Sequence, residues 1–336
     1  MEKLDKDINK VIEEMMGFSP SSDKLGNDIL KYIEGEVKAG NILRHEEDED
    51  DESKIYTLAN HIQIFKTEGE ANLYELRIII RNYPAEMPET EVYKKAEEFG
   101  EASCMLSMDN KKNAAFVIEG TLVYQDWELH KYNKGVFHHE IKHAYTNIRT
   151  LEDSDVEEYM NRTGVVASRS IYAAANKISN NPLIRMMMSN VGAMAATVYV
   201  SDKHEISSFT QQAFKDLEDA KSFSDVDSMI KNTMLYKYSN FLNRITDELE
   251  DPESNDTYNS FVEFMALELP DDVKMPTKEA YLKMLRKRCK KYVENVGKVI
   301  VYTKDKLREE AIKEGYRVPL VIYDGSWANA YKLGNY

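Results

Sequence analysis

Two histidines and a glutamate stand together near the middle of the chain, in the order His139-Glu140-x-x-His143. On an α-helix, residues four apart lie on one face, one turn apart, so both imidazoles can reach a single metal ion. Zn²⁺ accepts imidazole nitrogen and needs no redox chemistry. Glu140 follows the first histidine directly, where it can hold a water at the metal and take its proton. These residues therefore predict a zinc site with a general base.

The flanking sequence predicts a helix that can present these groups. An apolar run that ends at Tyr124 predicts a strand, and we expect Gly135 to stand just before the helix. Four apolar residues recur at helical spacing nearly opposite the histidines: Phe137, Ile141, Ala144 and Ile148. We expect that side to lie in a core and the histidine side to face a cleft. The alternative is an ordinary core helix with a buried or capping histidine pair.

A strand, a His-Glu-x-x-His helix and a later helix that carries a glutamate follow one another over roughly residues 113–217. This order resembles the zincin metallopeptidases, in particular their gluzincin branch. The resemblance implies a zincin-like fold, a catalytic zinc and hydrolysis of peptide bonds. It also implies that one strand beside the cleft pairs with extended substrate through main-chain hydrogen bonds. A plain core strand is the alternative.

A catalytic zinc takes three protein ligands and leaves one position for water. No histidine lies between His143 and His204, so the third ligand is expected to be a carboxylate. In the gluzincins it is a glutamate on a later helix that packs beside the motif helix. That resemblance implies Glu205, which follows a long apolar stretch and stands in the first turn of a predicted helix.

Two alternatives to Glu205 as a ligand remain open. Asp202 and Glu205 have the spacing of a capping box, in which Glu205 would bond the start of its own helix. The other alternative is that Glu157 or Glu158 is the third ligand, since both lie closer to the motif in sequence. Some members of the group have such a shorter distance between the motif and the third ligand. Phe209 stands one turn after Glu205, where some members carry an aspartate, so the side chain that supports the histidines is unassigned.

Other side chains near the motif have two interpretations each. His138 and His204 directly precede proposed ligands, and His204 either stabilises an oxyanion in the cleft or lies at the surface. Tyr145 and Tyr199 are further hydrogen-bond donors, for which core packing is the alternative.

Composition narrows the class of protein. The 336 residues suffice for two domains or for one domain with extensions, and the net charge of −15 argues against a general nucleic-acid binder. Two cysteines provide neither a disulfide framework nor a Cys-x-x-Cys metal site, which fits a reduced compartment. The N-terminus has no apolar leader, and no apolar run reaches the ~20 residues of a membrane span. We therefore expect a cytoplasmic protein without membrane contact.

The predicted fold class is α+β, with a small mixed sheet, the motif helix and then a largely α-helical C-terminal half. Residues 1–53 should form a helical arm and an acidic linker, 54–150 an α/β part with the motif helix, and 151–336 a helical part with the third ligand and a tail. Within these parts, helices are predicted for Glu91–Phe99 and for one long apolar stretch, Pro182–Val200.

Zinc-dependent hydrolysis of a peptide or protein substrate is the function that these residues predict. One alternative is a non-catalytic protein of a larger assembly, with a structural or vestigial zinc site and contacts through the acidic run Glu46–Glu52 or the tail Val318–Tyr336. The other is a zinc hydrolase that acts on something other than peptides.

Overall fold

The structure is a computed structural model that describes residues 20–44, 53–65, 71–109, 113–152 and 163–314. It has the predicted mixed α+β composition, a small sheet and a mostly helical remainder. The chain divides into two compact units, of which the first is Met1–Asn147 with Phe214–Glu218 and the second is Ile148–Ala213 with Asp219–Tyr336. The division into three parts stays a prediction, since the acidic linker lies outside the described residues.

The first unit contains a six-stranded sheet. Its strands are β1 (Leu43–Arg44), β2 (Lys54–Phe65), β3 (Ala71–Tyr83), β4 (Glu101–Asp109), β5 (Asn113–Gln125) and β6 (Glu128–Leu129). Their order is β1-β2-β3-β5-β4, with β6 paired to β5, and only β3 and β5 run parallel. The side chains of β3 alternate: Leu76, Ile78 and Ile80 are buried, whereas Ile79 is exposed. The sheet is therefore mixed, as predicted, with one face in the core.

Among the described residues, three helices lie largely in this unit: α1 (Pro20–Ala39), α2 (Glu89–Phe99) and α3 (Lys131–Glu152). The helix predicted for Glu91–Phe99 is confirmed, with a start two residues earlier. The N-terminal arm is helical over α1, but Leu43–Arg44 pairs with β2 as a strand.

The motif helix α3 begins earlier than predicted, so the placement of Gly135 before the helix is wrong. Its start is set by His130, whose carbonyl accepts from Lys134 N at 3.2 Å and whose Nδ1 accepts from Tyr132 N at 3.4 Å. His130 N in turn donates to Val123 O on β5 at 2.9 Å. Strand β5 therefore determines where the motif helix starts.

The second unit is helical in its described part. Its helices are α4 (Thr163–Asn180), α5 (Pro182–Met187), α6 (Ser189–Val200), α7 (Lys203–Asp216, whose last turn belongs to the first unit), α8 (Phe223–Met229), α9 (Met234–Glu250), α10 (Asn255–Glu268) and α11 (Lys278–Lys313). Buried polar contacts join α11 to its neighbours, since Tyr292 Oη donates to Val200 O at 2.8 Å. Across the described ranges, no helix combines the length and the apolar character that crossing a bilayer requires.

The prediction of one continuous core helix over Pro182–Val200 is wrong. Met188 leaves helical geometry, at φ −138° and ψ 56°, and separates α5 from α6. Met186 and Met187 are 75% and 76% exposed, whereas Val191 and Met194 are buried. Apart from Arg185, Ser189 and Asn190 the stretch is almost entirely apolar, so its periodicity does not show which half enters the core.

A strained two-residue turn joins β5 to β6. Asp126 and Trp127 have φ values of 48° and 65°, as a type I′ turn requires, although asparagine and glycine are its favoured residues. Asn82 Oδ1 accepts from Trp127 N at 2.9 Å, and the indole lies 5.0 Å from the Tyr56 ring. Contacts with β2 and β3 therefore hold an aromatic residue in a left-handed conformation.

At position 127 we expect a glycine variant to be more stable than an alanine variant, which is the reverse of the order at most positions. Both Trp127→Gly and Trp127→Ala remove the indole, but only alanine keeps the left-handed strain of about 1–2 kcal/mol. We expect the glycine variant to be more stable by about 1 kcal/mol, although alanine is the more stabilising residue at most positions. Urea unfolding of the two proteins measures this difference, and an alanine variant of equal or higher stability contradicts it.

Candidate metal centre

Helix α3 presents the motif as the spacing predicts. Phe137, Ile141 and Ala144 are each 0% exposed, so the apolar stripe lies in the core. His139 and His143 project from another side of the helix, with 4% of His139 exposed and His143 half-buried. The core contact of the apolar stripe therefore places the histidines on a side of α3 that points away from that core.

The two imidazoles approach each other through their Nε2 atoms. Their Nε2 atoms are 3.1 Å apart and their ring centroids 4.8 Å apart. Two nitrogens this close can both lie at the usual Zn–N distance of about 2.1 Å from a single ion. The implied N–metal–N angle of about 95–100° is somewhat below the tetrahedral value.

The 3.1 Å separation is also that of a hydrogen bond between the two ring nitrogens, in which one Nε2 donates to the other. A metal bound to both nitrogens takes the place of that hydrogen bond, because each Nε2 must then be unprotonated. The close approach of the two Nε2 atoms is therefore compatible with either arrangement.

Glu140 completes a group of three potential ligands. Its Oε1 atom lies 3.9 Å from His139 Nε2, and one ligand atom from each of the three residues lies within 4.8 Å of the others. The Glu140 side chain is 20% exposed and that of His139 is 5% exposed, so the group extends from the interior toward solvent. Water can therefore reach the carboxylate side of the group.

Glu205 lies in the second unit, in the first turn of α7, and is buried. The capping-box alternative is not adopted, because Asp202 N donates to Tyr199 O at 3.0 Å and Asp202 Oδ1 accepts from His204 N at 2.7 Å. Glu205 bonds the Tyr199 side chain instead. Its role as third ligand stays a prediction, and Glu157 and Glu158, the alternatives, lie outside the described residues.

The Tyr199 ring packs against other aromatic rings, and its hydroxyl bonds Glu205; a role as donor to an oxyanion stays a prediction. Its ring packs 6.1 Å from Phe209 and 5.8 Å from Tyr172, measured between centroids. Burial, and after it the negative charge and hydrogen bond of Glu205, raises the pKa of the Tyr199 hydroxyl well above its usual range. The hydroxyl therefore stays protonated and donates to the Glu205 carboxylate. Position 209 is a phenylalanine, so it contributes ring packing and provides no carboxylate that could support the histidines.

His138 points to a different side of α3 from the histidine pair and is 0% exposed. Its Nδ1 lies 3.5 Å from Asp23 Oδ1 on α1. The same carboxylate forms an ion pair with Lys215 Nζ at 3.0 Å. The positive charge of Lys215 offsets the negative charge of Asp23, so Asp23 does not favour protonation of the imidazole. His138 is therefore a neutral, buried residue at a helix contact, a role for which the sequence contained no signal.

Ion pairs extend this contact to the last turn of α7. Lys215, whose side chain is 5% exposed, lies 3.3 Å from Glu218 Oε1, and Lys134 Nζ lies 2.7 Å from Glu218 Oε2. Burial raises the pKa of the Glu218 carboxyl, but Lys134 and Lys215 outweigh it and hold that pKa below its usual value. The chain Asp23–Lys215–Glu218–Lys134 therefore joins α1, the end of α7 and the start of α3.

The burial of His138 predicts acid sensitivity of the metal-free protein. Burial, followed by the charges of Lys215 and Lys134, lowers the pKa of His138 from 6.5 to about 3. As pH falls below about 6.5, the unfolded chain binds this proton first, so the residue should reduce stability by up to about 1.4 kcal/mol per pH unit. Above about pH 6.5 this histidine is neutral in both the folded and the unfolded chain, so it does not reduce stability.

Urea unfolding at pH 6.5 and pH 5 measures this effect, since few carboxylates titrate in that interval. The variant His138→Gln cannot take up the proton and should lose less stability over the same interval. An identical loss in both proteins contradicts the assignment.

A cavity of about 950 Å³ lies beside another side of α3. Its lining includes Leu30 and Glu34 of α1, Trp127 of the β5–β6 turn and Lys134. Neither histidine of the pair is among the described residues that line it. Lys134 precedes His138 by one turn and shares its face, so the cavity belongs to the α1 side of the helix.

His139, Glu140 and His143, which the sequence predicts as one site, thus lie together on one helix. No protein-family model, no curated protein and no solved structure matches this chain.

Proposed function

We propose that the protein is a zinc-dependent metallopeptidase. The observation that carries this proposal is the close approach of His139 Nε2 and His143 Nε2, 3.1 Å apart, which lets both nitrogens bind one Zn²⁺ at the usual Zn–N distance. Two imidazoles with a carboxylate are a donor set that catalytic zinc sites use. The adjacent Glu140 adds a base that is partly exposed to solvent.

When bound, Zn²⁺ acts as a Lewis acid on the scissile carbonyl and lowers the pKa of a bound water. His139 and His143 hold the ion, and the buried stripe behind them keeps their rings in place. Glu140 orients the attacking water through its carboxylate, takes one proton from it and returns that proton to the leaving amine. The chain thereby provides both the orientation and the proton transfer of amide hydrolysis.

Glu205 is the third ligand in this proposal. Its carboxylate is buried and accepts a hydrogen bond from Tyr199, and such a bond orients a ligand and makes it easier to bind a metal. A zincin-like fold of the gluzincin branch is the finer part of the proposal, and it rests on the motif and on this glutamate.

An extended peptide is the proposed substrate. Strand β4 forms one end of the sheet and pairs, within the described strands, with β5 only. Its outer edge is available for main-chain hydrogen bonds to an added strand. Such pairing binds peptides with little dependence on side chains, so a broad peptide mixture is the appropriate first substrate.

A peptide-library digest with metal controls tests the proposed function. The protein is purified without chelator, its zinc content is measured by elemental analysis, and the library is analysed by mass spectrometry. We expect about one zinc per chain, new peptide termini, loss of cleavage with a chelator and recovery when zinc is restored.

Two outcomes contradict the proposal. Zinc-loaded protein that leaves the library intact while the metal has no exchangeable water favours the non-catalytic alternative. Zinc-loaded protein that has such a water, leaves peptides intact and hydrolyses non-peptide esters or amides favours the other hydrolase class.

A further inference from the structure

The backbone of α1 lies directly on the imidazole next to the motif. A Cβ atom added to Gly26 would stand 2.6 Å from both Cε1 and Nδ1 of His138. The His138 ring is 0% exposed, so any shift of the ring must be made inside the protein interior. Only glycine permits α1 to come this close to α3.

The ion pairs described above hold the same side of α3. Lys134 and His138 are four residues apart and share one face of α3, and Asp23 and Gly26 share one face of α1. Lys215 joins the two, since its ammonium lies 3.0 Å from Asp23 and 3.3 Å from Glu218, which in turn binds Lys134 at 2.7 Å. The motif helix is therefore held both by a steric contact and by an ionic link that is buried at Lys215 and exposed at Lys134.

Rotation of α3 about its own axis controls the direction of the histidine pair. Consecutive residues differ by about 100° around a helix, so a fixed His138 also fixes the direction of His139 and, one turn on, of His143. A ring nitrogen lies about 7 Å from the helix axis, so a rotation of 10° displaces it by about 1.2 Å. Functional sites tolerate about 0.5 Å.

We propose that the Gly26–His138 contact and the Asp23–Lys215 pair set the rotation of α3 and thereby the direction in which His139 and His143 present their Nε2 atoms to a third ligand outside the helix. His138 and Lys215 are positioning residues: they act on the metal site through the motif helix. This inference rests on the proposed function, because it concerns the geometry of the same metal site.

Two glycine-to-alanine variants on the same helix test it with a built-in control. Gly26 and Gly35 both lie in α1, and both variants gain the helix propensity of alanine. A Cβ on Gly35 meets nothing within 4 Å, whereas a Cβ on Gly26 meets the His138 ring. The full chain is titrated with Co²⁺ and with Zn²⁺, and its metal-free form is melted with circular dichroism as the readout.

We expect Gly35→Ala to keep the visible Co²⁺ spectrum and the zinc affinity of the wild type. Gly26→Ala should keep its helix content, change the Co²⁺ spectrum and bind zinc about 10-fold or more weakly, a loss typical of changes behind a metal ligand. A Gly26→Ala protein with wild-type spectrum and affinity, and only a lower melting temperature, overturns the positioning role.

A second pair of variants decides the question if Gly26→Ala does not fold. Lys215→Met removes the ammonium and keeps the length of the side chain, and Lys24→Met removes an exposed lysine from α1 as the control. We expect about 10-fold weaker zinc binding for Lys215→Met alone, and equal affinities of the two variants overturn the role. Wild-type protein that binds neither ion refutes the proposed function itself, and the positioning role with it.

Discussion

Replacing Glu140 with glutamine should reduce peptide hydrolysis by about 10²–10⁴-fold while the protein retains its zinc. Glutamine has nearly the shape of glutamate but cannot take a proton from water at neutral pH. The carboxylate stands 3.9 Å from His139 Nε2, beside the proposed metal position, so its loss removes the proton acceptor and leaves both imidazoles in place. Cleavage rates of one library-derived peptide, measured at equal zinc content, give the ratio.

Glu98→Gln is the matched control, since Glu98 is an exposed glutamate on α2 of the same unit. It makes the same chemical change away from the motif and should leave the rate unchanged. Undiminished cleavage by Glu140→Gln, in a preparation free of other proteases, rules out Glu140 as the base. Loss of zinc from that variant instead indicates that Glu140 is a ligand.

Replacing His143 with alanine should weaken zinc binding by more than about 100-fold and abolish cleavage, because loss of an outer partner of a ligand alone costs about 10–100-fold. His143 is half-buried, and its ring lies 4.8 Å from that of His139, so its removal leaves one imidazole at the site. The core stripe of α3 is untouched, so the helix should remain folded. Zinc content after dialysis and competition with a chelator measure the loss.

His130→Asn is the control for this experiment. His130 is a buried histidine at the start of the same helix, and asparagine preserves the capping role of its ring. It should keep its zinc. Retention of full zinc affinity by His143→Ala rejects the metal site.

Glu205→Gln extends the test to the third ligand. Glutamine keeps an oxygen that accepts from Tyr199, so the buried contact survives while the negative charge is lost. Weakened zinc binding assigns Glu205 to the site. Unchanged binding leaves Glu205 as the partner of Tyr199 and moves the ligand to a residue such as Glu157 or Glu158.

The pattern of residues within one segment was sufficient to predict structure where that segment contains all the residues that determine it. The i, i+4 histidines and the opposite stripe of Phe137, Ile141 and Ala144 specify both the helix and its buried side. The alternation in β3 specifies a strand with one buried face. A similar alternation of Ala102 and Cys104 with Ser103 was present in β4, and it could have identified the strand that we did not predict.

Local pattern failed where a distant partner makes the choice. The start of α3 depends on β5, which binds His130, and the break at Met188 depends on which half of an evenly apolar stretch finds a core. The spacing of Asp202 and Glu205 fits a capping box, but in the structure Asp202 N is bonded to Tyr199 O and Glu205 bonds the Tyr199 side chain. Nothing in that spacing indicates the tyrosine.

The sequence by itself determined that two imidazoles and a carboxylate share one helix with a buried back, since all of these residues lie within one short segment. Only the tertiary structure decided how that helix is held. Gly26 and Asp23 lie more than a hundred residues before the motif and Lys215 more than seventy after it. Their contacts with His138 and with the start of α3 depend on close packing between separate helices, which periodicity within a segment does not encode.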